Sequence, residues 1–145
     1  KTPGRTQTIN FFSIGAHRFL VDLPGYGYAA VPSQERRHWG SLISAYIQTR
    51  ASLRGLIVIM DARRPFTVLD RQLLDWIASL GKPGHVLLTK ADKLTRRDAV
   101  AALQRAQAVT GRFANCSVQL FSGTTRQGVD AAQDTIAQWL RKSDK

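Results

Sequence analysis

Cysteine is nearly absent from this sequence: Cys116 stands alone among 145 residues. A single thiol excludes an internal disulfide and any cysteine-rich zinc or iron–sulfur centre, and it fits a reducing compartment. No run approaches the ~18 consecutive apolar residues that span a bilayer, so no stable membrane insertion is expected. The start shows no basic, apolar and small-residue succession of a signal peptide. The histidines, His17, His38 and His85, are too dispersed for metal-ligand spacing. Structural or surface roles are expected for all three. Internal repeats, low-complexity tracts and a domain-splitting linker are also missing, which leaves one domain with one core.

Acidic residues are scarce too. Ten Asp plus Glu face 21 Lys plus Arg, a formal charge of +11. Such a surplus attracts polyanions. RNA, ribosome or DNA contact stands beside the plainer reading of an enzyme with a basic surface. With 43% hydrophobic residues, the chain has the material for a packed core and is not a disordered tail.

Short apolar runs at Ile9–Ile14 and Phe19–Leu23, split by Gly15–His17, predict an antiparallel hairpin. Ser33–Arg50 reads as a helix, with Trp39, Leu42, Ile43 and Tyr46 on one side. Leu53–Met60 predicts a buried strand with Asp61 just after it. Leu69, Leu73, Trp76, Ile77 and Leu80 mark a helix ended by Gly81 and Pro83. A strand at His85–Leu88, a helix over about 96–109 capped by Thr95, a strand at Val118–Phe121 and a last helix through Val129, Ala132, Ile136, Trp139 and Leu140 follow. Gly111–Ser117 reads as an irregular connection. This alternation predicts an α/β fold with a mostly parallel sheet, and ligands bind such sheets at the loops that follow strands.

Three post-strand loops carry the chemistry. Asp22 opens D-L-P-G-Y-G at 22–27. A carboxylate there can hold magnesium through water, and the Gly25 N–H can approach a terminal phosphate with no side chain in the way. A strand-ending turn is the plain alternative. Thr89–Asp92 reads T-K-A-D. The Asp92 carboxylate can accept from guanine N1–H and the exocyclic amine, a pattern adenine lacks. The Lys90 stem can cover the base, and Thr89 can tie neighbouring loops. The alternative is a solvated turn with Asp92 capping amides. Ser122-Gly123-Thr124 can approach guanine through backbone groups or simply lead into a helix. Thr6, in the early Pro/Gly loop, can coordinate magnesium or serve as a turn hydroxyl. Arg63 and Arg64 suit phosphate or RNA contact as well as a solvated basic loop.

Taken in chain order, K-T-P-G-R-T-Q-T-I-N-F-F at 1–12, D-L-P-G-Y-G-Y-A at 22–29, Trp39, D-A-R-R-P at 61–65, T-K-A-D-K-L at 89–94 and F-S-G-T at 121–124 closely resemble the EngB (YihA/YsxC) family. These are bacterial ribosome-assembly GTPases of the TrmE-Era-EngA-EngB-Septin-like class. The resemblance covers essentially the whole chain. It implies a P-loop GTPase (G domain) fold, a three-layer sandwich whose mostly parallel sheet has one antiparallel edge strand. It implies residues 1–145 as a single, N-terminally incomplete G domain lacking its first strand, phosphate loop and first helix. No G-x-x-x-x-G-K-[ST] stands in the 145 residues. A protein lacking that part is expected to be weakly stable and a poor GTP binder.

The resemblance also implies roles. Gly4, Arg5, Thr6, Gln7 and Thr8 form the first switch, with Thr6 linked to magnesium. Asp22, Leu23, Pro24 and Gly25 face magnesium and the γ-phosphate. Thr89, Lys90, Ala91 and Asp92 read guanine, and Phe121, Ser122 and Gly123 complete the base-side wall. Gly123 departs from the small hydroxyl residue often found there. Tyr26 takes the place of a water-orienting Gln, so slow turnover is expected, and no catalytic side chain is assigned. The implied ligands are GTP/GDP and Mg2+, with a monovalent cation such as K+ as a further helper. The implied partners are the large ribosomal subunit precursor or ribosomal RNA, for a cytoplasmic, bacterial, monomeric switch linked to cell division and septation. An RNA- or ribosome-binding module with degenerate GTPase activity is the alternative. A non-GTPase α/β enzyme with coincidental turns would show no guanine preference.

Overall fold

A computed structural model of the protein describes residues 9–23, Gly25, Ser41 and 44–141. Contacts divide the chain into two compact units, Lys1–Leu53 and Arg54–Lys145.

In the first unit, β1 (Asn10–Gly15) and β2 (Arg18–Asp22) pair antiparallel, as the two apolar runs predict. The turn uses His17 at φ 59°, and the register slips between Ser13 and Gly15. Alternation puts Phe11 and Phe19 on one face, where their rings meet edge-on with centroids 6.3 Å apart. Arg50 lies over the rings of Phe11 and Tyr46, at 5.5 Å and 4.4 Å. Residues 44–48 are helical, in keeping with the predicted helix. Trp39, Leu42 and Ile43, three of its four stripe residues, lie outside the described residues.

The second unit is built around three parallel strands in the order β3-β4-β5: Leu56–Asp61, Gly84–Thr89 and Cys116–Leu120. The register aligns Leu56, Gly84 and Cys116 at one edge and Asp61 and Thr89 at the other. Strand β4 is central and its first five residues are buried, which is why it reads as an unbroken apolar run. Strand β3 alternates instead, with Val58 and Met60 buried and Ile59 61% exposed.

Helix α1 (Val68–Ser79) starts with a capping box: Thr67 Oγ1 accepts from Asp70 N, and Asp70 Oδ2 accepts from Thr67 N. Its deepest apolar residues are Leu74 and Ile77. Leu74 is absent from the predicted stripe, which sits partly over the edge of the helix face. Helix α2 (Arg96–Thr110) has the predicted Thr95 cap, and buries Ala99, Ala102 and Ala106 on its packed side. Helix α3 spans Val129–Arg141.

A Cβ placed on Gly84 would lie 3.5 Å from Ile77 of α1, whereas Gln119, on the opposite face by strand alternation, reaches Gly128 at the start of α3. Helices therefore cover both faces, giving the three layers. Two sequence-drawn boundaries shift. Residues 53–55 precede β3 without joining it, and β5 begins inside the stretch read as an irregular connection, at Cys116.

Candidate functional site

The loops after β3, β4 and β5 share the Asp61/Thr89 edge of the second unit. The parallel ladder continues beyond the strands: Ala62 N donates to Thr89 O at 2.8 Å, Phe121 N to Leu88 O at 2.8 Å, and Ala91 N to Phe121 O at 3.1 Å. Thr89 Oγ1 adds a bond to Met60 O at 3.1 Å, tying β4 to β3. These bonds lock the T-K-A-D and F-S-G segments side by side.

Lys90 takes the left-handed conformation, φ 59° and ψ 31°, and turns the chain into a short 3-10 segment, Ala91–Lys93. Among the described residues, Asp92 accepts from no backbone amide. Its Oδ1 accepts from the hydroxyl of Ser122 at 2.8 Å. Ser122 is fully buried, and its Oγ also accepts from Thr125 N at 3.2 Å. The solvated amide-capping turn considered for Asp92 is thus replaced by a side-chain clamp. Asp92 keeps 16% side-chain exposure, and Lys93 Nζ lies 4.0 Å from its Oδ2. One carboxylate oxygen is fixed from behind while the group still reaches the surface. Gly123 has open space where a Cβ would stand, so nothing in its packing demands glycine.

Asp61, at the end of β3, holds a second polar group that the sequence did not reveal. Arg63 donates to it from its backbone N (2.9 Å), Nε (3.0 Å) and Nη2 (2.7 Å), and Lys90 Nζ lies 3.5 Å from Oδ2. Hydrogen bonding from the Arg63 side chain drives the Asp61 carboxyl well below the ordinary carboxylate range, against a smaller opposing effect of burial. The same contact raises Arg63. The ammonium of Lys90 is therefore tethered to the neighbouring strand end. A D-x-R spacing at a strand terminus was the available signal.

Behind the F-S-G loop, Gln119 Nε2 donates to Gly128 O at 2.7 Å and to Leu120 O at 3.1 Å. That leaves Gln119 Oε1 to accept from His85 Nε2 at 2.8 Å, while His85 Nδ1 pairs with Ser117 Oγ at 2.6 Å. His85 is buried with both nitrogens engaged, the structural role expected of it.

Asp22 closes β2 in the first unit and is exposed, as is Gly25; Leu23 is half-buried. Gly4, Arg5, Thr6, Gln7, Thr8, Pro24, Tyr26 and His38 lie outside the described residues. Among the described residues, no three His, Cys, Asp or Glu side chains cluster to hold a metal ion, and no helix is long and apolar enough to cross a membrane. A lone exposed carboxylate suits an ion such as Mg2+, which keeps most of its shell as water and phosphate, and does not suit an all-protein cage.

Comparison with known proteins bears on this edge. Residues 1–90 match the family model described as 50S ribosome-binding GTPase. The chain is 53% identical over 141 residues to a protein of Methylobacillus flagellatus named "Probable GTP-binding protein EngB", covering 97% of this chain and 68% of that one. It is 55% identical over 141 residues to the protein of the same name from Nitrosomonas europaea, covering 97% and 64%. Among solved structures, the crystal structure of a probable GTP-binding protein engB superposes with a TM-score of 0.71 at 13% identity, covering 94% of this chain and 85% of that one. Era, in complex with MgGDPNP and a stretch of 16S ribosomal RNA, superposes at 0.73 with 16% identity, covering 98% and 47%. At such identities the two structures speak for the fold, that of P-loop GTPases.

Proposed function

The chain belongs to the EngB family of GTP-binding proteins, and on that premise we propose that it is a guanine-nucleotide switch, a slow Mg2+-dependent GTPase acting in assembly of the large ribosomal subunit. Its setting in this reading is the bacterial cytoplasm, where it works as a monomer and bears on cell division and septation. Ribosomal RNA or the large-subunit precursor is the macromolecular partner. The basic surplus of +11 supports that choice, as does the match of residues 1–90 to the family model described as 50S ribosome-binding GTPase.

The observation that carries the reading is the Asp92–Ser122 clamp, 2.8 Å long, between the loops after β4 and β5. Guanine presents two adjacent N–H donors, and a carboxylate held from behind is a preorganised acceptor for both. In this reading Thr89–Asp92 read the base. The Lys90 stem, anchored at Asp61, lies along its face. Phe121, Ser122 and Gly123 wall it in. Asp22–Gly25 face the γ-phosphate, and Gly4–Thr8 close over it, with Thr6 and Asp22 as the magnesium-linked residues.

Bound Mg2+, helped by a monovalent cation such as K+, would neutralise charge developing on the phosphates. The chain's own residues bind and orient: the carboxylate of Asp92 selects the base, and the backbone of Gly25 admits the terminal phosphate without a side chain in the way. The reading also requires a grip on the α- and β-phosphates, which no G-x-x-x-x-G-K-[ST] among these 145 residues supplies. The basic surplus of +11 also suits a second reading, an RNA- or ribosome-binding module with degenerate GTPase activity.

Titration of the full-length protein with labelled GDP, competed by ADP, separates the two. Guanine preference together with Mg2+-dependent release of phosphate from GTP supports the switch. RNA binding with no guanine preference leaves only the module.

A further inference from the structure

The edge of the parallel sheet opposite the candidate site has a different charge. Strands β3, β4 and β5 start there, at Leu56, Gly84 and Cys116. The backbone ladder extends past those starts as well. Leu56 N donates to Pro83 O at 3.0 Å, and Gly84 N to Asn115 O at 2.9 Å. With strands about 4.8 Å apart, the three starts lie within roughly 10 Å. The helices run back to this edge and end at Ser79, Thr110 and Arg141. A Cβ on Gly55 would stand 2.5 Å from the Trp139 ring, so the last turns of α3 sit directly on the residue beside Arg54.

Every connection here carries a cation: Arg54 before β3, Lys82 before β4, Arg112 before β5 and Arg141 at the end of α3. No Asp or Glu occurs in residues 76–91 or 99–129, and Asp92, between those ranges, lies at the other edge. Most of the other carboxylates among the described residues of this unit stand toward the other edge. Asp61 ends β3, Asp70, Asp98 and Asp130 stand in first turns of helices, Asp75 and Asp134 lie within α1 and α3, and Asp144 lies outside the described residues. Helix dipoles alone do not account for this. Helices α1 and α2 have no basic residue in their last turns, and Lys82 and Arg112 stand beyond the helix ends.

We propose that this strand-start edge, with Arg54, Lys82, Arg112 and Arg141, is an RNA-phosphate docking face on the side of the sheet away from the guanine loops. A strip of clustered cations attracts phosphates without regard to sequence. Its place leaves the base-side loops accessible to nucleotide while RNA is held. The inference rests on the ribosomal-RNA part of the proposed function.

The test uses the full-length protein and two probes, poly(U) RNA and purified 50S subunits. Arg112 and Arg141 are exposed, so the double variant Arg112→Gln/Arg141→Gln should keep its fold and its GDP affinity. Arg96→Gln/Arg97→Gln, equally exposed at the start of α2 on the other edge, removes the same charge. At about 0.7 in log–log salt slope per single-strand phosphate contact, the edge variant should lose about 1.4 from the slope and bind poly(U) about 25-fold more weakly at 0.1 M salt. The control should change far less. Equal losses from both variants, or an unchanged edge variant, overturn the docking face. Binding of 50S subunits that survives the edge substitutions overturns the face and leaves the ribosomal reading standing. Wild-type protein that binds poly(U) through this edge but not 50S subunits keeps the face and overturns the ribosomal reading. Binding to neither probe removes both.

Discussion

Replacing Asp92 by Asn changes the acceptor at the guanine edge while sparing its support. The Ser122 hydroxyl donates to Asp92 Oδ1 at 2.8 Å, and an amide oxygen in the same place still accepts that bond. The other oxygen, 4.0 Å from Lys93 Nζ, becomes an NH2 group. It would then confront the N–H donors of guanine with donors of its own. A hydrogen bond to a charged group contributes about 1.5–3 kcal/mol, so losing one such interaction weakens GDP binding about 10- to 100-fold at 1.4 kcal/mol per decade. Fold stability should change by less than about 1 kcal/mol, because the ion pair given up is long and its lysine exposed. Xanthine carries a carbonyl where guanine carries its amine, so the variant should gain relative affinity for xanthosine diphosphate. Calorimetric titration of the full-length variant with GDP, ADP and xanthosine diphosphate reads all three. An unchanged GDP-over-ADP preference in a folded Asp92→Asn protein refutes the assignment of Asp92 to the base.

Ser122→Ala removes a fully buried hydroxyl that serves Asp92 and Thr125 N at once. It should lower unfolding stability by about 1–3 kcal/mol in urea melts and weaken GDP binding along with it. Gly128→Ala puts a side chain at φ 80° and into the Leu120 carbonyl oxygen, costing about 2 kcal/mol or more of thermal or urea stability. Asp61 is an acid-sensitive group. Because its folded value is depressed, its contribution to stability is in place above the ordinary value of 3.8 and is lost as pH falls through the folded value. Asp61→Asn should therefore flatten the acid limb of a stability–pH curve below about pH 5. The difference should shrink in high salt, since Arg63 is 48% exposed and the pair is screened.

What could be read from the sequence was what one segment specifies by itself. The apolar run at 85–88 became central β4 because a strand covered on both faces has no polar alternation to keep. Thr95 became a cap because its hydroxyl needs only the amide three residues on. The hairpin followed from two runs and a turn that His17 and Gly15 make with positive φ. The helix stripe over 69–80 was legible in period but not in phase: which of Leu73 and Leu74 faces inward depends on the sheet beneath. The side-chain bonds that define the site were illegible for the same reason. Ser122 and Asp92 are 30 residues apart, and His85 and Gln119 are 34 apart. Each pair exists because β4 and β5 run parallel in one register.

That register gives the two edges of the second unit their different characters. Sliding β5 by one residue would turn Ser117 and Gln119 to the other face and leave the buried His85 without either partner. It would also unzip Ala91 from Phe121 at one edge and Gly84 from Asn115 at the other. The His85–Gln119–Gly128 chain thus pins the loop that clamps Asp92. His85→Leu should consequently weaken GDP binding even though His85 touches neither loop's surface, by loosening the loop that Gln119 holds through Gly128 O. Amide exchange of Phe121 and Ser122 should quicken in that variant while the β3–β4 amides Val58 and Met60 stay protected. Uniform quickening across all three strands would mean that the polar chain serves general stability and has no particular hold on the loop.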